Sequence, residues 1–153
     1  FKLKPVNVRT VMIEVGEEMS GQLAAHKVTI DNQLPPVCIN ANYQLIYSIF
    51  RNLVENTLKY AGDGCGISVS GVMSREGECS IDYHDTGRGV ELDELEKIFD
   101  RFYRIDADRA KPVGGSGLGL SIVRNAVRFH KGSISAYRVG GGGLGFRFTL
   151  RSI

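Results

Sequence analysis

Apolar residues recur along this chain with two spacings, near 3.6 and near 2, and the changes between them divide it into helices and strands. Val11, Val15, Met19 and Leu23 repeat every fourth position. They predict a helix from about Val8 to Ala25, capped by Asn7, after a weakly alternating edge strand over Leu3–Val8. The β-branched runs Val28–Ile30 and Val37–Ile39 flank Pro35-Pro36 and predict two short strands. Asn42 predicts the cap of a second helix reaching about Tyr60, with Leu45, Ile49 and Leu53 as its core stripe. Beyond a break at Gly62–Gly64, Ile67–Val72 and Cys79–Tyr83 alternate with period two and predict an antiparallel hairpin turning at Glu76-Gly77. Leu92–Phe99 predicts a short helix, and polar Arg101–Ser116 has no periodicity and is a candidate mobile lid. A helix is expected from Leu118 to about His130, then a hairpin of Ser133–Val139 and Phe146–Ile153 around Gly140–Gly143. Strands pairing mostly antiparallel, with helices able to cover one face, give the α+β class and a two-layer α/β sandwich.

Composition narrows the picture further. A length of 153 residues supports one domain over 1–153, and no internal repeat is evident. Apolar residues at 42% and charged residues at 24% describe a globular domain and exclude a disordered tail. The 19 basic and 17 acidic residues leave a net charge of only +2, against the strong basic excess of a dedicated nucleic-acid binder. No apolar run approaches the roughly 20 residues that span a bilayer. Phe1-Lys2-Leu3-Lys4-Pro5 has neither an initiator Met nor a signal core, so the chain is expected to be part of a longer protein. Cys38, Cys65 and Cys79 are odd in number and widely spaced, which fits reduced thiols in a cytoplasmic protein.

Three segments suggest chemistry. Asn52, Asn56 and Lys59 share a helix face distinct from the core stripe. Amide oxygens suit a hard cation such as Mg²⁺, and an ammonium neutralises phosphate oxygens, although a polar surface stripe has the same pattern. Asp85-Thr86-Gly87-Arg88-Gly89 places a carboxylate at a strand end, where it could accept from an exocyclic amine such as that of adenine; an Asx-type turn is the plain alternative. Gly115-Ser116-Gly117-Leu118-Gly119-Leu120 leads into a helix whose backbone N–H groups form an anion site, or whose glycines simply permit close packing. Between these loops, Arg101, Arg104, Arg109 and Lys111 outnumber Asp106 and Asp108, as suits a segment that closes over phosphates.

Taken together and in this order, the segments resemble the ATP-binding catalytic domain of bacterial two-component sensor histidine kinases. Asn52–Tyr60 resembles that family's N box and Asp85–Gly89 its first glycine box. Phe99-Asp100-Arg101-Phe102-Tyr103-Arg104 resembles the F box and Gly115–Leu120 the second glycine box. The resemblance covers essentially the whole chain. It implies a Bergerat-type fold with a mixed, mostly antiparallel sheet, helices on one face, and a mobile ATP lid at about 100–116. Asn52 and Asn56 would serve Mg²⁺ and the phosphates, with Lys59 and Tyr60 near the phosphates and ribose. Asp85 would read the adenine amine in a pocket shaped by Gly87 and Gly89. Arg101 and Arg104 would be lid cations, Arg104 at the γ-phosphate, and Gly115, Gly117, Leu118, Gly119 and Leu120 would bring the phosphates to the last helix. Asn52, Asn56, Arg104 and Glu55 are the catalytic candidates; Glu55 could polarise a nucleophile or be an ordinary surface carboxylate. Two residues depart from the family's pattern: Thr57 stands where Ala is more frequent, and His84 where an apolar residue is common.

The implied activity is transfer of the γ-phosphoryl group of Mg·ATP to a histidine on a separate dimerisation domain. None of His26, His84 and His130 has the phospho-acceptor's setting, in the middle of a helix and directly followed by an acidic residue, so the fragment is expected to be inactive alone. The implied partners are that dimerisation domain and a response-regulator receiver domain, with no nucleic acid. The fragment would be a monomer and the full protein a homodimer, with this domain on the cytoplasmic side of a membrane-anchored sensor. Two alternatives keep the fold: an ATPase module of the gyrase, mismatch-repair or heat-shock chaperone kind, and a catalytically silent docking module. The former relatives usually present Glu, which activates water, at the position of Asn52.

Overall fold

The computed structural model describes residues 2–103 and 118–153. Its strands are β1 (Lys4–Asn7), β2 (Thr29–Gln33), β3 (Cys38–Ala41), β4 (Gly66–Met73), β5 (Glu78–Asp85), β6 (Ile134–Arg138) and β7 (Leu144–Arg151). The helices are α1 (Val8–Glu18), α2 (Ser20–Ala25), α3 (Tyr43–Tyr60) and α4 (Gly119–Phe129). Both expected asparagine caps are present. The Thr10 N–H donates to Asn7 Oδ1 at 3.2 Å and the Leu45 N–H to Asn42 Oδ1 at 2.9 Å, each satisfying a helix-end donor.

Five strands form one sheet in the order β2-β4-β5-β7-β6, antiparallel except for the parallel pair β2–β4. That parallel pair follows from the connection, because β3 and α3 intervene and supply the long crossover that parallel neighbours need. β1 and β3 pair antiparallel in a separate two-stranded ribbon.

Period-two alternation determines the layers. Cys79, Ile81, Tyr83 and Asp85 of β5 are buried toward the helices, while Ser80, Asp82 and His84 face outward. Phe50 of α3 meets Phe148 of β7 with ring centroids 6.3 Å apart, and Phe99 packs edge-on to Phe146 at 6.0 Å. Each such fully buried side chain contributes about 1.5–3 kcal/mol, so the core between α3 and the sheet fixes how α3 lies over β5.

Two expectations are corrected. The single helix over 8–25 divides at Met19, whose backbone leaves the helical region at φ −98°, ψ 11°. Ser20 and Gly21, both poor helix formers, follow directly. The Leu23 N–H still bonds the Met19 carbonyl at 2.9 Å, so Met19 and Leu23 stay in the buried stripe. Leu92–Phe99 is not one helix but two single 3₁₀ turns, Leu92–Glu94 and Lys97–Phe99. Ile98 and Phe99 anchor the second turn in the core, whereas Leu92 in the first is exposed, so no continuous apolar face holds the eight residues as one helix.

His130 closes the far end of the helical layer. It is fully buried; its Nδ1–H donates to the Ala126 carbonyl at 2.8 Å and its Nε2 accepts from the Asn42 N–H at 3.2 Å. The C-terminus of α4 is thereby tied to the cap of α3. The Asn42 bond requires an unprotonated Nε2, and burial pushes the ring's pKa down, only partly opposed by the Ala126 bond. The unfolded chain takes up this proton at the ordinary histidine pKa of about 6.5. Below that pH the unfolded state binds more protons than the folded one, so stability falls as pH drops and levels off above about 7. Urea unfolding followed from pH 7.5 to 5 is expected to show this loss, with a shallower slope in the non-titrating His130→Gln variant; equal slopes would contradict it.

Candidate nucleotide site

The described site residues converge where α3, the end of β5 and the start of α4 meet. On α3, the Asn52 Nδ2 donates to the Ser48 carbonyl at 2.7 Å and to Ser48 Oγ at 3.2 Å. This turns Oδ1 toward α4, where a Cβ added to Gly119 would lie 3.1 Å from it. One turn further along α3, Asn56 is only 8% exposed, and among the described residues none hydrogen-bonds its carboxamide. Its amide atoms keep access to solvent, which leaves them open to a ligand.

Asp85 is 2% exposed at the end of β5. Its Oδ1 accepts the N–H groups of Gly87 at 3.0 Å and Leu144 at 3.2 Å, and its Oδ2 lies 3.1 Å from the Thr57 hydroxyl. The Tyr83 hydroxyl stands 2.8 Å from Thr57 Oγ1 and 3.0 Å from the Leu53 carbonyl. Burial pushes the Tyr83 phenol well above its ordinary pKa, and the neighbouring Asp85 charge adds to this, so it remains a hydroxyl. Burial likewise raises the nearby Cys65 thiol and keeps it an unreactive neutral group.

Close backbone approach holds this carboxylate. A Cβ on Gly87 would lie 2.3 Å from Ala61 Cβ, so the loop after β5 sits directly on the end of α3. The Arg88 N–H donates to the Ala61 carbonyl at 3.0 Å, and its guanidinium reaches the Tyr60 carbonyl at 3.0 and 3.3 Å. Gly143, at φ +124°, approaches so closely that a Cβ there would lie 1.9 Å from the Asp85 carbonyl oxygen.

The other expected residues are arranged as follows. Lys59 is exposed, Tyr60 half-buried, and Gly89 adopts φ +74° against Gly143. Glu55 forms an i,i+4 ion pair with Arg51 at 3.1 Å, and Arg101 lies over the Phe102 ring at 5.5 Å. Leu118 precedes α4 without a side-chain cap, and Leu120 is buried in the core. Arg104, Gly115 and Gly117, with most of the expected lid, lie outside the described residues. His84 faces away from the site on the opposite side of the sheet, with Nδ1 3.1 Å from Asp82 Oδ1.

Sequence reasoning missed the Leu144 N–H, Gly143 and the Tyr83–Thr57 pair. Four consecutive glycines at 140–143, more than a two-residue hairpin turn requires, were the available signal for Gly143. Period-two alternation marked Tyr83 as inward but could not say what its hydroxyl meets.

A buried carboxylate at a strand end is thus bonded to a helix that packs over one face of the sheet, within a two-layer α/β sandwich. The chain belongs to the family described as Histidine kinase-, DNA gyrase B-, and HSP90-like ATPase, whose model matches residues 41–152. It is 32% identical over 146 residues to the sensor-like histidine kinase SenX3 of Mycolicibacterium smegmatis, covering 90% of this chain and 38% of SenX3. It is 30% identical over 151 residues to the signal transduction histidine-protein kinase BaeS of Escherichia coli, covering 98% of this chain and 32% of BaeS. The chain thus spans about a third of the length of these curated relatives. The mycobacterial sensor histidine kinase MprB has the same fold, with a TM-score of 0.83 at 22% identity and 97% of each chain covered. So do full-length ShkA in complex with AMPPNP (TM-score 0.79, 24% identity, 99% of this chain and 32% of that one) and ThkA in complex with the response regulator TrrA (TM-score 0.78, 18% identity, 99% and 42%).

The clearance at Gly143 yields a direct expectation. Gly143→Ala places a Cβ against the Asp85 backbone at a φ that alanine disfavours, and should cost more than about 1 kcal/mol. Gly140→Ala meets nothing within 4 Å and should be nearly neutral. Denaturant titration of both variants decides this, and equal stabilities would refute the close approach.

Proposed function

We propose that this chain binds Mg·ATP and is the catalytic domain that passes the γ-phosphoryl group to a histidine on a separate dimerisation domain. The observation that carries the reading is the convergence on neighbouring element ends of a buried carboxylate, Asp85, with the solvent-accessible Asn56 amide and with Asn52, whose Oδ1 faces the start of α4. Asp85 reads the adenine amine, in a pocket whose walls Gly87 and Gly89 shape. Lys59 and Tyr60 serve the phosphates and ribose. Gly115, Gly117, Leu118, Gly119 and Leu120 bring the N–H groups at the start of α4 to the phosphates. Arg101 and Arg104 serve as lid cations, Arg104 at the γ-phosphate. The AMPPNP complex of ShkA, which shares the fold, supports an adenine nucleotide as ligand.

The donor set fits magnesium. Asn52 commits its NH₂ to Ser48 and leaves its oxygen outward, and Asn56 has no competing partner among the described residues. Oxygen ligands from amides, completed by phosphate oxygens and water, are the coordination this ion favours. When bound, the ion neutralises charge on the β- and γ-phosphates. The protein's own contribution is positioning and electrostatic stabilisation. Transfer forms a bond between the unprotonated imidazole nitrogen and Pγ and breaks the Pγ–O bond to ADP, while the single proton on the imidazole's other nitrogen passes to solvent. Glu55, held by Arg51, flanks this face of α3 and is a candidate to polarise the accepting imidazole.

That imidazole comes from outside the chain. His130 is buried, His84 lies at a strand end beside Asp82, and His26 pairs with Asp63 at 2.8 Å at the end of α2. The ThkA–TrrA complex supports a response-regulator receiver as the downstream partner, and a homodimer formed through the missing dimerisation domain completes the reading. Among the described residues no helix is long and apolar enough to cross a membrane; we place this domain on the cytoplasmic side of a membrane-anchored sensor.

Calorimetric titration tests the binding step. Wild type should bind ATP in a Mg²⁺-sensitive manner. Asn56→Ala and Asp85→Asn should each lose about 1–3 kcal/mol, the scale of a lost buried polar contact. The chain alone should hydrolyse ATP slowly. Absence of binding by a folded wild-type chain, or rapid hydrolysis, would reject the reading, the latter in favour of an ATPase module.

A further inference from the structure

A carboxylate offers about four acceptor lobes. At Asp85, Oδ1 is filled by the N–H groups of Gly87 and Leu144, and Oδ2 faces the Thr57 hydroxyl. Thr57 and Tyr83 each carry one hydroxyl proton, and their oxygens lie between two acceptors, the Leu53 carbonyl and Asp85 Oδ2. The Leu53 carbonyl already has the helical N–H of residue 57, four positions on. If Tyr83 donated to Leu53 and accepted from Thr57, Asp85 Oδ2 would face an oxygen lone pair at 3.1 Å in a buried site. The opposite order, in which Tyr83 donates to Thr57 and Thr57 donates to Asp85, places the protonless contact at the neutral Leu53 carbonyl, which keeps its helical N–H, and gives the charged Oδ2 its donor. Three lobes are then filled and one lobe of Oδ2 remains.

We propose that Thr57 is a specificity-determining positioning residue, whose hydroxyl, held by Tyr83, leaves Asp85 a single acceptor lobe for one purine N–H, that of a 6-amino group. This rests on the Mg·ATP reading above and deepens it. Guanine presents its N1–H and 2-amino group side by side, and pairing both would need an open lobe on each carboxylate oxygen. Oδ1 has none, so the arrangement selects a single donor. An alanine at 57 would leave Asp85 its two backbone bonds but free Oδ2 to turn, and the reading edge would lose its fixed direction.

The test is calorimetric titration of the chain with Mg·ATP and with the triphosphate of purine riboside, which lacks the 6-amino group. Wild type should prefer ATP. Thr57→Val and Thr57→Ala should lower the ATP-to-analogue affinity ratio about fivefold or more, the equivalent of one hydrogen bond. Thr57→Ser should retain the wild-type ratio. Asn56→Ala, on the phosphate side, should weaken both nucleotides together and leave the ratio unmoved. A purely structural role for Thr57 would instead lower both affinities equally in the Val and Ala variants. That result, or a Val or Ala ratio equal to that of wild type, would overturn the proposal while the ATP reading stood. Failure of a folded wild-type chain to bind ATP would overturn the ATP reading and the role of Thr57 with it.

Discussion

A buried carboxylate has to be surrounded by donors, and the architecture around Asp85 follows from meeting that requirement. One donor is its own loop, through the Gly87 N–H; one is the following hairpin, through the Leu144 N–H; one is α3, through Thr57. Three segments far apart in sequence therefore meet at one side chain. The glycines at 87 and 143 are consequences of that meeting, because backbone must come within contact distance of Ala61 and of Asp85 itself. With charged hydrogen bonds contributing about 1.5–3 kcal/mol each, the site is also one of the fold's fastenings.

The opposite face of the sheet shows how a similar group is treated in a less buried setting. Asp82, three residues before Asp85, is half-buried there and collects the Tyr137 hydroxyl at 2.7 and 2.8 Å, His84 and Arg147. Burial alone would raise its pKa, yet the bonds from Tyr137, His84 and Arg147 outweigh it and hold the carboxyl below its ordinary range. All of these partners are side chains, whereas two of the three donors to Asp85 are backbone N–H groups. Backbone donors carry no side-chain entropy and do not change rotamer, which suits a group whose direction matters.

Much of this was legible in the chain itself. The asparagine caps at 7 and 42, the inward alternation of β5 and the separate face of Asn52 and Asn56 are local patterns, and local patterns survive folding. The break at Met19 was hidden because the apolar stripe runs through it unchanged. The 3₁₀ turns before Phe99 were hidden because an eight-residue apolar spacing does not distinguish them from α-helix. At the site, Asp85 and the glycines were visible as types at a spacing. The partners of Asp85 were not, since Leu144 contributes only an amide and Thr57 a hydroxyl whose target lies 28 positions away.

The His130 tie has a mechanical meaning. α4 is about 16 Å long at 1.5 Å per residue, and its far end is bonded through a buried ring to the cap of α3. Its near end starts at Gly119, beside the Asn52 carboxamide. Leu120 and Val123 are buried close to that end, so α4 is a strut fastened at both ends, and the spacing between Gly119 and Asn52 is set by the same core that seats His130.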